Sequence, residues 1–135
     1  MWISEKGIAS FKIYQDMFPV VEKVLLTLSD CESKCVASSV FLIEDTKKTT
    51  IEILSYIASG YNNYDTNFKA TEYNKARNAI SMTQSNLILL NNNKLLSEEN
   101  LNENYNALED KLKMISGVLR KIEKRWKHAW WFKDL

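Results

Sequence analysis

Apolar residues recur along this chain at alternating spacings of three and four, the period of one helix face. Four such stretches can be drawn. The first covers residues 10–28, with a stripe of Phe11, Tyr14, Phe18, Val21, Leu25 and Leu28. Pro19 lies inside it and should kink or split it, since proline lacks an N–H and crowds the preceding turn. Ser29-Asp30 reads as the break. The second covers residues 33–59, with Val36, Val40, Ile43, Ile51, Leu54, Ile57 and Ala58 at helical spacing and Lys47 interrupting them. Thr46, Thr49 and Thr50 lower its helix propensity, so packing must hold it. Gly60 would stop it in the left-handed conformation that ends many helices. The third covers residues 67–90 through Tyr73, Ala76, Ile80, Leu87 and Leu90, with Thr83 in the gap and Asn91-Asn92-Asn93 as its end. Ala76 and Ala79 would allow close helix approach.

The fourth, residues 97–127, has the fullest pattern. Ser97 is a helix cap, followed by Glu98 and Glu99, whose carboxylates favour the helix dipole. Leu96 and Leu101 flank the start as a hydrophobic staple. Leu101, Tyr105, Leu108, Leu112, Ile115, Leu119, Ile122 and Trp126 then repeat at four and three without a gap. A repeat near 3.5 residues implies shallow, left-handed packing. Short turns between long helices favour antiparallel neighbours. The expected fold is all-α: a single domain forming an antiparallel up-down-up-down four-helix bundle.

Composition agrees with few loops: three glycines and one proline in 135 residues leave little material for turns. No apolar run approaches the length of a membrane span, and Met1-Trp2-Ile3-Ser4-Glu5-Lys6 is not a secretory signal, so a cytoplasmic chain is expected. Charge changes the picture more. Residues 111–135 carry eight Lys/Arg against two acids, a net of +6; the 110 before them carry ten against fifteen, a net of −5. Three of the four tryptophans, Trp126, Trp130 and Trp131, fall in the basic end beside Phe132. A basic aromatic end on an acidic body points to an anionic counterpart: nucleic acid, a membrane face or an acidic partner.

Catalytic chemistry is hard to find. Gly7, Gly60 and Gly117 are isolated and make no phosphate loop. The single histidine, His128, has no nucleophile beside it, and the Glu-x-x-His pattern of di-metal bundles does not occur. Glu44, Glu52, Glu109 and Asp110 read as solvated faces. Cys31 and Cys35, spaced to share a helix face, are open to three readings: reduced thiols, a redox-labile pair, or half a metal site. No enzyme activity, cofactor or metal is expected.

The order of features resembles a known bacterial group. The first helix carries Tyr14-Gln15, the second ends Ile57-Ala58-Ser59-Gly60-Tyr61, and the third carries Ala76. The turn Lys94-Leu95-Leu96-Ser97 leads into a helix with Tyr105 that ends Lys113-Met114-Ile115-Ser116-Gly117-Val118-Leu119-Arg120-Lys121-Ile122. Over about residues 10–125 this resembles the four-helix-bundle proteins of large-subunit rRNA intervening sequences, and among them the accessory variability determinant proteins of diversity-generating retroelements. The resemblance implies a ring-like pentamer without catalytic residues that binds a reverse transcriptase and its template RNA. The chain departs from that group in its near-neutral pI of about 7.7.

Two functions remain open on the sequence. One is a non-enzymatic accessory protein that binds RNA or DNA alongside a reverse transcriptase. Its phosphate contacts would come from Lys113, Arg120, Lys121, Lys124, Arg125 and Lys127, of which Lys113, Arg120, Lys124 and Lys127 share a face by spacing. Trp126, Trp130, Trp131 and Phe132 would meet a protein partner. The other is an oligomeric scaffold or adaptor without nucleic acid, its basic residues merely solvating the helix. Docking on a membrane surface is the weakest reading, because the aromatic segment is short. Phe41, Ile53, Tyr56, Met82 and Leu89 fall off the seams, and such surplus apolar surface predicts a homo-oligomer.

Overall fold

The structure is a computed structural model that describes residues 11–133, with the side chains of 38 and 124–133 outside the description. Four helices account for nearly all of it: α1 (Lys12–Lys34), α2 (Ala37–Tyr61), α3 (Thr66–Asn92) and α4 (Glu98–Lys133). Each helix packs on its sequence neighbours, and α1 closes the ring against α4. Contacts run in opposite senses along each pair. Phe11 stacks on Tyr61 with ring centroids 4.9 Å apart, while Glu32 pairs with Lys47. Thr50 meets Thr83, and Gln84 reaches the Tyr105 carbonyl. The chain is an antiparallel four-helix bundle, as its periodicity predicts.

The core lies on the bundle axis. Met17, Val21, Val24 and Leu28 of α1 meet Ile43, Ile53 and Ile57 of α2, Ile80, Leu87 and Leu90 of α3, and Leu108, Ile115 and Leu119 of α4. On α3 the expected stripe of Tyr73, Ala76, Ile80, Thr83, Leu87 and Leu90 is buried throughout. The α4 stripe is also inward, with Leu108, Ile115 and Leu119 buried and Leu101, Leu112 and Ile122 packed beside them. Trp126 lies outside the described side chains.

On α1 the stripe is turned. Ile13, Met17, Val24 and Cys31 join Val21 and Leu28 inside, whereas Phe11, Tyr14 and Leu25 flank the core and Phe18 is exposed. Two apolar arcs overlap on this helix, and packing selects the one that also includes Met17. Pro19 does not split α1, and Ser29-Asp30 is no break; the helix continues to Lys34. The chain turns instead at Cys35 and Val36, both extended. Cys31 therefore ends inside α1 and Cys35 past its end, not together on one helix face.

On α2, Val36, Val40 and Ile51 are exposed while Ile53, expected off the seam, is fully buried. Around Lys47 the inward positions are filled by threonines. Thr46, Thr49 and Thr50 are buried, each hydroxyl donating to the carbonyl four residues back: Leu42, Asp45 and Thr46. Such bonds satisfy the hydroxyl within its own helix, so threonine can sit in a core. Thr50 and Thr83 hydroxyl oxygens then meet at 3.5 Å between α2 and α3.

Gly60 is not a left-handed stop. It lies inside the last turn of α2, and no described glycine has a positive φ. A Cβ there would come within 2.4 Å of Tyr73 Cε1, so the missing side chain is what lets the buried Tyr73 ring lie on α2. The left-handed residue is Lys94, at φ 63°. Its N–H donates to Asn91 O, and the Leu95 N–H to Leu90 O, the paired bonds of a Schellman turn. Asn91 Nδ2 adds a bond to Leu96 O. Ser97 Oγ then accepts from the Asn100 N–H, capping α4 as expected.

Candidate nucleic-acid interface

Three of the six cationic residues singled out on α4 have described side chains: Lys113, Arg120 and Lys121. All three are exposed. At 3.6 residues per turn, Lys113 and Arg120 point within about 20° of one another, and Lys121 roughly 80° further round. The inward seam of Leu108, Ile115 and Leu119 lies on the other side of the helix. α4 is held with its seam inward because the seam is continuous and each neighbour offers matching apolar positions. The cations are turned outward as a result. Arg120 folds back along the helix: a Cβ on Gly117 would lie 3.9 Å from its guanidinium. Lys124, Arg125 and Lys127, with Trp126, Trp130, Trp131 and Phe132, lie outside the described side chains.

The remaining cations of the bundle are largely committed. Lys47 pairs with Glu32 of α1 and sits 3.7 Å from Glu44. That hydrogen bond holds the Glu32 carboxyl below its ordinary pKa and pushes Lys47 up. Lys75 pairs with the buried Glu72 at 3.3 Å, and Arg77 donates to Asn74 Oδ1 at 2.9 Å. Lys23 pairs with Glu103 across the α1–α4 seam. Lys69 donates to the carbonyls of Gly60 and Tyr61 at 2.8 and 3.2 Å, in the last turn of α2, where helix carbonyls lose their usual partners four residues on. It also stands 6.0 Å from the Tyr61 ring centroid and 5.8 Å from that of Tyr73, a cation–π arrangement. Burial lowers its pKa. Among the described residues, Lys113, Arg120 and Lys121 take part in none of the ion pairs. Lys34, Lys48 and Lys94 are likewise exposed and in none of these ion pairs, but they are scattered over α1, α2 and the turn before α4, whereas Lys113, Arg120 and Lys121 lie on one stretch of α4.

The aromatic and lysine cluster at the end of α2 was not legible in the sequence as a unit. Its members are Phe11, Tyr61, Tyr73 and Lys69, drawn from three helices, and no spacing rule joins them. Burial beside Tyr61 pushes the Tyr73 phenol up to about 12. The cluster fastens one end of the bundle.

Burial likewise raises the Cys31 thiol, while Cys35 donates to Glu32 O at 3.2 Å. A buried thiol with a raised pKa is a poor nucleophile. No group of three His, Cys, Asp or Glu side chains among the described residues is placed to hold a metal ion. No described helix is long and apolar enough to cross a membrane.

No protein-family model matches the chain, and no curated protein is similar to it at a significant level.

Proposed function

We propose that this protein is a non-enzymatic, nucleic-acid-binding accessory protein whose contact surface is the outward side of α4 and the basic segment that continues it. The observation that carries the reading is the set of exposed cations Lys113, Arg120 and Lys121, without acidic partners among the described residues on an otherwise acidic bundle. Phosphate groups need Lys or Arg that are not already neutralised, and a shared face lets several act on one backbone. The resemblance to retroelement accessory proteins extends the proposal to RNA as ligand, a reverse transcriptase as partner, a ring-like homo-oligomer as the working form and the cytoplasm as its site. The apolar residues exposed on α2 favour a second reading, an oligomeric scaffold or adaptor without nucleic acid.

Charge reversal separates the two. Arg120→Glu, Lys124→Glu and Lys127→Glu together should abolish RNA binding in about 50–100 mM salt, where phosphate contacts dominate. The helical circular-dichroism signal should stay intact, since exposed charges hold little of a fold. Binding by the parent should also weaken steeply with added salt. A triple variant that binds RNA as well as the parent would reject α4 as the interface and leave the scaffold reading.

A further inference from the structure

Two strips of side chains in matching register border the groove between α2 and α3. On α3, Lys75, Met82 and Leu89 recur every seven residues, about two turns, and so share one strip. On α2, Phe41, Asp45, Glu52 and Tyr56 follow one another at steps of four, seven and four. The strips adjoin, for the Lys75 ammonium stands 5.9 Å from the centroid of the Tyr56 ring. Thr50 and Thr83 fix the register of the two helices from inside. At that register Glu52 lies level with Met82, and Asp45 with Leu89. Met82 is 55% exposed, Leu89 46% and Phe41, one turn beyond, 82%. Each exposed apolar residue of the α3 wall thus has a carboxylate across from it on α2.

Charge on this side of the bundle is negative. Glu44 and Asp45 are exposed and Glu52 half-buried, against Lys48 alone, because Lys47 is tied to Glu32 and Lys75 to Glu72. A second copy of this chain is a poor occupant. Its own groove would set Asp45 and Glu52 against like charges. Its exposed cations Lys113, Arg120 and Lys121 stand on α4, which exposes no large apolar side chain among the described residues. The groove asks for both characters on one helix face: apolar side chains for Phe41, Met82 and Leu89, and cations along one edge for Asp45 and Glu52.

We propose that the groove between α2 and α3 receives an amphipathic helix of a different protein, one whose apolar stripe is edged on one side by Lys or Arg. Such a helix lies in a groove by its apolar face, its anchors spaced at three, four and seven. Burial against Phe41, Met82 and Leu89 supplies the cohesion. The carboxylates stand on the α2 wall only, so charge complementarity selects which way round the helix lies and speeds encounter. Met82 and Leu89 are about 10 Å apart along α3, so a partner helix of three or four turns covers them. This goes beyond the nucleic-acid reading and does not rest on it, and its test contains no nucleic acid.

The probe is a synthetic helix of about 18 residues, with leucine at the heptad a and d positions and lysine along one edge. A second peptide carries glutamate in place of lysine, and a third scrambles the first. Binding to the full chain is read by fluorescence anisotropy. The lysine peptide should bind at least about tenfold more tightly than either control. Met82→Lys should weaken it by about tenfold or more, with the helical circular-dichroism signal unchanged because Met82 is exposed. Asp45→Lys with Glu52→Lys should turn the preference to the glutamate peptide. Absence of binding overturns the proposal. So does equal binding of the three peptides, and so does binding that Met82→Lys leaves unmoved. Light scattering supplies a further check: a parent oligomer that Met82→Lys takes to the monomer would make the groove a contact between copies and overturn the proposal as well.

Discussion

Gly60 shows how much one missing side chain can decide. Alanine favours a helix over glycine by about 1 kcal/mol, so propensity alone makes Gly60→Ala stabilising. Geometry says otherwise, since the new Cβ would lie 2.4 Å from the buried Tyr73 ring. The ring is hemmed by Phe11 and by the Lys69 ammonium, and has little room to retreat. Gly60→Ala should therefore cost about 1–3 kcal/mol net, the usual range for overpacking, measured by urea denaturation. Pairing it with Tyr73→Leu should cost less than the two losses added, because the clash is then gone. A glycine after an apolar run is read as a helix stop in a sequence, and this one is a contact. Nothing local distinguishes the two, because the reason lies thirteen residues away. Lys94 is the converse: the left-handed residue is one whose type gives no hint of it.

At the scale of the element, the helices with one dominant apolar arc were legible and those with two were not. α3 buries the residues its spacing indicates, and α4 turns its stripe inward, with Leu108, Ile115 and Leu119 buried and Leu101, Leu112 and Ile122 packed beside the core. α1 has competing arcs, through Tyr14 and Phe18 or through Met17 and Val24, and only the neighbouring helices choose between them. α2 hides its seam behind threonines, which read as polar until their hydroxyls are seen bonded within the helix. The cationic side of α4 was legible because charge and spacing are local. What it binds is not, because exposed lysine serves solubility and recognition alike. Within the α4 seam, burial grades the positions. Ile115 is 1% exposed and Leu112 only half-buried. Ile115→Ala should cost about 2–5 kcal/mol, and Leu112→Ala roughly half as much, in the same denaturation experiment. Equal losses at both would mean that α4 is rotated from the orientation described.

Over the whole molecule, a polar belt passes through the core at one level. Thr27 accepts from Asn104 at 3.2 Å between α1 and α4. Gln84 spans α3 and α4, donating to Tyr105 O and to Glu109 Oε2. Thr83 meets Thr50 between α3 and α2. Asn104 is the costly member: it is 1% exposed and its Oδ1 has no partner among the described residues. An unpaired buried acceptor costs about 1–3 kcal/mol, so Asn104→Leu should raise stability by about 1 kcal/mol, seen as a higher urea midpoint. Thr27 is not stranded by the change, since its hydroxyl donates to Lys23 O. The same contact bears on the order of assembly. The pairs Lys23–Glu103 and Thr27–Asn104 join residues 80 and 77 apart in sequence, whereas successive helices are joined by short turns. Closing so long a loop costs more chain entropy than forming any of the three hairpins. The seam between α1 and α4 is then the last to form and the first to part. Changes at Thr27 and Asn104 should accordingly be felt in how fast the native bundle comes undone, with little effect on how fast it forms.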